Sequence, residues 1–444
     1  MASQTSLLLP RYNRRCSGLR RIEIAQAAPA PTLSRPLMTD HNLSARVWAT
    51  AALVAVPIAS RTGVGWWLPL HLALLGAVTQ AIVGGQLMFS TTLGLSRGPS
   101  RRLTLTQLGL LNVAALSVIT GRLIDHLGVF IAGVSILVGV IGWVTWQVHL
   151  MWRRSVNRRF ALTGMFYRLA GTSLLLGASI GGALGIGAFD NGGSYIAHRT
   201  VHMILNVYGW AGMTIVGTAV TLLPTILHAR APKLERVRAA PWLMFLGLMV
   251  MSGGATTEAG VVGGAGMGIY LIGFGTFALY IKQVLLTPSR RKIPTAAFHL
   301  IAAVTWALAS TVALMLTLWR GDWTAVRDFA VVGGAAGFVF QALMGAWLFL
   351  LPSTRAPVPE RRRVELIAME LGGRAQVVAY NAGLVLVLVG LRSGWELSLV
   401  GIWLAWIAAS WALVKAWTFP ALSRLTHVQR RAAAWWAEPV GGGI

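Results

Sequence analysis

Twelve long apolar stretches follow one another along the chain, and they leave few folds open. They cover residues 47–60, 66–93, 103–120, 127–150, 160–188, 197–227, 241–254, 261–286, 294–318, 329–351, 375–391 and 397–416. A helix that spans a bilayer needs about 20 mainly apolar residues. Lipid offers backbone groups no water, so only helices and closed barrels cross it. Barrel strands alternate polar and apolar residues, and these stretches do not. The expected fold is therefore all-α, a polytopic membrane protein with about twelve transmembrane helices.

Composition agrees. Only 11% of the 444 residues are charged, against roughly 25% in soluble domains. A soluble enzyme, a disordered chain and a disulfide scaffold are all excluded. The single cysteine, Cys16, forms neither an internal bridge nor a Cys-based zinc site.

The net charge of +25 suggests nucleic acid until its distribution is read. Of 38 Lys and Arg, 31 fall in the two tails and in every second loop. Only Arg61, Arg122, Arg199, Arg320, Arg327 and Arg392 fall in the alternate loops, and Arg168 lies within the fifth stretch. Cytoplasmic loops concentrate Lys and Arg. Both termini are thus expected in the cytoplasm of a multi-pass plasma-membrane protein, with no nucleic-acid partner. Residues 1–45 read as a basic, disordered cytoplasmic tail, 46–418 as the twelve-helix domain, and 419–444 as a short cytoplasmic amphipathic tail. Arg14-Arg15 lacks the apolar stretch and cleavage site of an export signal, and Met38 is a second candidate start. Two basic segments, RRRVELIAMELGGR (361–374) and PALSRLTHVQRRAAAWWA (420–437), read as amphipathic pieces on the inner leaflet or as solvated helix ends.

Ionisable side chains inside a membrane are costly and point to function. Asp and Glu are nearly absent from the twelve stretches, which argues against an acid-driven pump. Histidine is the informative residue. His71 is expected roughly 8 Å below the outer surface on the second stretch, and His202 at about 8–10 Å on the sixth. His198 shares a helical face with His202, and Asn206 extends it by a turn. Neutral imidazole ligates copper and haem iron. His71, His198 and His202 are accordingly the candidate metal- and cofactor-binding residues, with His126, Asn206 and Glu258 as candidates for support around them. The alternative is that such histidines cap helix ends or bond backbone carbonyls. Catalytic residues are not identified.

His41, His149, His228, His299 and His427 are weaker candidates. Gln80, Gln86, Asn112, Gln341 and Asn381 are expected to join helices by hydrogen bonds. Arg168 is expected to snorkel toward the cytoplasm. The glycines from Gly263 to Gly275 are expected to serve helix packing, and Met213 and Met267 are soft copper ligands by chemistry alone. No internal repeat is evident, so an inverted-repeat transporter is not signalled.

Three stretches carry a resemblance: HLALLGAVTQAI from His71, AHRTVHMILNVYGWAGMTIVGTAVTLLPTIL, and GFVFQALMGAWLFLLP. Together they resemble a polytopic membrane module of actinobacteria, found alone or joined to copper nitrite reductase or multicopper oxidase domains. More remotely the chain resembles subunit I of haem–copper oxidases and NnrS-type proteins. The resemblance implies a haem or copper cofactor, with His71 matching the helix-2 haem ligand and His198 and His202 the helix-6 metal positions. It also implies a role in electrons, copper or nitric oxide, and a cupredoxin-type or other redox partner at the outer face. The chain departs from the pattern: it has no adjacent His-His pair and no histidine in stretches seven, eight or ten. Terminal oxidase activity is therefore not expected. A transporter for a small solute, or a structural or assembly protein without a metal, are the other readings.

Overall fold

The computed structural model describes residues 35–59, 65–287, 293–356 and 358–437. The chain before Arg35, with Cys16 and Arg14-Arg15, and the loop cations Arg61, Arg290, Arg291 and Lys292 lie outside the described residues.

Among the described residues the secondary structure is entirely helical. The main helices are α1 (Arg35–Ala59), α2 (Trp67–Thr92), α3 (Arg101–Leu123), α4 (Leu127–Arg153), α5 (Ala161–Gly185), α6 (Gly192–Leu227), α7 (Ala240–Thr256), α8 (Gly260–Leu286), α9 (Thr295–Trp319) and α10 (Ala325–Arg355). After the short α11 (Pro359–Met369) come α12 (Gly373–Ser393), α13 (Trp395–Leu422) and α14 (Thr426–Ala437). Eleven of the described helices are long and apolar enough to cross a membrane. α5 is a further 25-residue helix, and it carries Arg168. That guanidinium folds back one turn, donating to the Gly164 carbonyl at 3.3 Å and approaching the Met165 sulfur at 3.2 Å. The charge thus moves toward the helix's own N-terminal end. With α5 the molecule is an all-α polytopic membrane protein of about twelve spans.

One boundary differs from the sequence reading. α1 begins at Arg35, inside the expected tail of residues 1–45. Met38, His41, Asn42 and Ala45 are buried, and burial against α2 holds those extra turns in the bundle. The two basic segments form α11 and α14, and each covers the other. Ile367 and Ala368 pack on Val428 and Ala432, and Arg361 pairs with the buried Glu365 at 3.1 Å.

The helices divide into inner and outer. The spanning windows of α2, α6 and α10 are 67%, 78% and 67% buried, against 28–44% for the other eight. The inner three recur at every fourth span and touch one another pairwise. Each is preceded by an outer helix that packs on it: α1 on α2, α5 on α6, α9 on α10. Each also contains a wide π-helical stretch, at Leu72–Val78, Leu205–Gly212 and Phe329–Phe340. Such stretches are rare and are frequent at functional sites.

The repetition extends to single residues. A Cβ on Gly76 would lie 2.5 Å from Trp48, one on Gly209 2.5 Å from Ser173, and one on Gly337 2.5 Å from Trp306. Eight residues on, Gly84 faces His41, Gly217 faces Phe166 and Gly345 faces His299. Those three partners each precede the first set by seven residues. The chain is therefore a threefold repeat of a four-helix unit, a feature not evident from the sequence.

Candidate functional site

His71 lies four residues into α2, immediately before its π-helical stretch. His202 lies ten residues into α6 and three before its own π-helical stretch. α6 has 36 residues, about 54 Å of helix, and starts well before its apolar part. That extra length brings His202 level with His71. The two rings lie 6.3 Å apart between centroids, tilted by only 12°.

Backbone carbonyls fix both rings. His71 Nδ1 lies 2.8 Å from the Trp67 carbonyl, one turn earlier, and its ring stacks on Trp67 at 4.2 Å. His202 Nδ1 lies 2.8 Å from the Gly177 carbonyl on α5. A carbonyl oxygen only accepts, so each Nδ1 carries the proton and each Nε2 keeps a lone pair. Among the described residues no group hydrogen-bonds to either Nε2. A proton on one nitrogen held by a carbonyl, with the other nitrogen open, is the arrangement of metal-ligating histidines.

Two glycines let α5 come this close. A Cβ on Gly181 would sit 2.5 Å from His202 Cε1, and one on Gly177 2.6 Å from Asn206 Oδ1. Asn206 adjoins the pair: its amide donates to the His202 carbonyl at 2.8 Å and lies 3.1 Å from His202 Nδ1. Its Oδ1 is buried without a partner.

The other candidates lie elsewhere. His198 stacks on Phe189 at 3.6 Å, and its Nδ1 is held by the Ser194 carbonyl at 2.8 Å. The wide turn below His202 does not correct this, because His198 lies above it. Shared helical spacing therefore did not make His198 and His202 a common site. His126 is an N-cap: its Nδ1 accepts from the Val129 amide at 3.2 Å. Glu258 is exposed and reaches over Gly193 rather than to either ring. Among the described residues no group of three or more His, Cys, Asp or Glu is placed to hold a metal. The expected three-imidazole set reduces to two.

Four of the five amides act as struts. Gln80 bonds His41 at 2.8 Å, Gln86 bonds Thr214 at 3.0 Å, and Asn112 and Asn381 accept from Trp48 and Trp306 at 2.7 Å each. Gln341 does not: both its amide atoms are buried and unpartnered. Gly263 and Gly266 of α8 meet Gly254 and Met251 of α7, which is the packing role expected of that glycine run.

Two cavities, of about 480 and 90 Å³, lie inside the bundle. The larger is on the opposite side of α2, walled there by Pro69, Leu70, Ala73 and Ala77. Neither cavity is lined by His71 or His202. No family model matches the sequence, and no curated protein matches it.

Proposed function

We propose that this integral membrane protein binds a single metal ion, copper by ligand chemistry, between His71 and His202, and handles copper or electrons at one face of the plasma membrane. One observation carries the reading: two nearly parallel imidazoles at 6.3 Å, each with Nδ1 spent on a carbonyl and Nε2 unpartnered. Two imidazoles that share an ion at about 2 Å from each Nε2 place their centroids about 6 Å apart. Imidazole suits copper, zinc, iron and nickel, and copper binds most tightly in that series. A bare ion is favoured over haem because a haem needs a slot of several hundred Å³, and the 480 Å³ cavity faces away from both rings. Bound copper would supply a one-electron couple. The chain's own part is to fix both ring orientations and to hold Asn206 beside them. The same site serves a nitric-oxide-related role if the ion keeps an open position.

The test is elemental analysis of the protein purified from copper-supplemented membranes. One copper per chain is expected, with at least a tenfold lower occupancy in His71→Ala and in His202→Ala and no change in His198→Ala. Equal occupancy in all four proteins would overturn the assignment. A transporter for a small solute is the second reading, but the large cavity is walled mainly by apolar side chains.

A further inference from the structure

The 480 Å³ cavity lies between α1, α2, α10, α12 and α13. α10 lines it from Asp328 to Trp347, and α13 lines it from Trp395 to Leu413. At 1.5 Å per residue the cavity is about 27 Å long, close to the ~30 Å thickness of the hydrocarbon core. Its volume spread over that length leaves a slot about one hydrocarbon chain wide.

The walls are dry. Tyr380 donates to the Ala336 carbonyl at 3.0 Å, Trp406 to the Leu53 carbonyl at 2.8 Å and Ser398 to the Val387 carbonyl at 3.3 Å. Those three wall groups are spent on the backbone, while the Trp347 indole N–H is buried without a hydrogen-bond partner. One end is different. Arg327 and Asp328 stand there, paired at 3.2 Å, beside Trp66 and Trp395. Aromatic residues of this kind mark the headgroup level.

We propose that the slot binds an isoprenoid quinone, head at Arg327 and tail along α10 and α13. The shape asks for one linear tail with one polar end. A phospholipid chain reaches only about half of the ~30 Å core, whereas this slot continues past the midplane. Asp328 already balances Arg327, so a neutral head that accepts a hydrogen bond fits better than an anionic one. The assignment is independent of the copper reading.

Long-chain menaquinone is titrated into the purified protein in detergent, and quenching of tryptophan emission is followed. Trp66, Trp347, Trp395 and Trp406 line the slot. Saturable quenching is expected. Its Kd should rise at least tenfold in Ala336→Leu and in Ala409→Phe, which fill the slot from opposite walls, but not in Ala81→Leu, which faces the smaller cavity. Thermal melting identifies any variant that fails to fold. Mass spectrometry of lipid extracted from the unmodified protein gives a readout that needs no variant, and retained quinone is expected. Unchanged Kd in both filled variants would overturn the proposal. So would equal affinity for tail-less menadione, or retention of phospholipid or polyprenyl phosphate in place of quinone.

Discussion

The imidazoles of His71 and His202 come from spans whose sequence separation is 131 residues, yet their rings lie nearly parallel, 12° apart in plane and 6.3 Å between centroids. Neither residue fixes this alone. His71 is oriented within its own helix by the Trp67 carbonyl, and His202 from a neighbouring helix by the Gly177 carbonyl. The pair therefore depends on how closely α5 approaches α6.

That dependence gives a first prediction. In Gly181→Ala the new methyl would fall 2.5 Å from His202 Cε1, so the ring must move. Overpacking of this kind costs about 1–3 kcal/mol, and copper occupancy should fall toward that of His202→Ala. Gly139→Ala is the control, since nothing lies within 4 Å of its Cβ position. If both variants load copper equally, the close approach of α5 does not set the site.

The repeat gives a second. In the first unit His41 bonds Gln80 at 2.8 Å. In the third unit the matching His299 and Gln341 are buried with all four polar side-chain atoms unpartnered. The second unit carries Phe166 and Met213 at those positions. Unpaired buried polar groups cost about 1–3 kcal/mol each. His299→Phe with Gln341→Met should therefore melt higher than the unmodified protein, while His41→Phe, which strands Gln80, should melt lower. The idea is sunk if the double variant loses as much stability as His41→Phe.

A third concerns the struts. Trp48 donates to Asn112 and Trp306 to Asn381, both at 2.7 Å and both between an outer helix and the next hairpin. Asn112→Ala leaves a buried indole N–H without an acceptor, at about 1–3 kcal/mol. Trp48→Phe with Asn112→Ala should cost clearly less than the two single changes added. Strict additivity in that cycle would show that the bond contributes nothing.

The architecture was legible because apolar length and loop charge act over whole segments. The site was half legible. His71 and His202 stood out as imidazoles in lipid, but helical spacing also nominated His198, which Phe189 and Ser194 hold elsewhere. His126 read as support and is a helix cap. The repeat was hidden for a physical reason: the first and third units share His41 and His299, Trp48 and Trp306, and Gln80 and Gln341, but the second carries Phe166, Ser173 and Met213 there, so only the glycines and their contacts recur in all three. GAVTQAIVG, GWAGMTIVG and GFVFQALMG share few letters beyond their end glycines. Those glycines become visible as equivalents only when Trp48, Ser173 and Trp306 are seen against them.

The last prediction tests which way the bundle faces. Loop charge expects the tails inside the cell and the imidazole pair near the outer surface. Exposed Glu258 lies against Gly193, at the start of the helix that carries His202, so it marks the site's end of the molecule. Cys16 is the native thiol of the N-terminal tail. A membrane-impermeant maleimide should label Cys16 in inverted vesicles and not in intact cells. In Cys16→Ser with Glu258→Cys the pattern should reverse. Labelling of both thiols from one side would require an even number of spans between them, and would remove α5 or another helix from the membrane. Labelling of both in the opposite sense would place His71 and His202 at the cytoplasmic face, so any copper held there would exchange with the cell interior rather than with an outer redox partner.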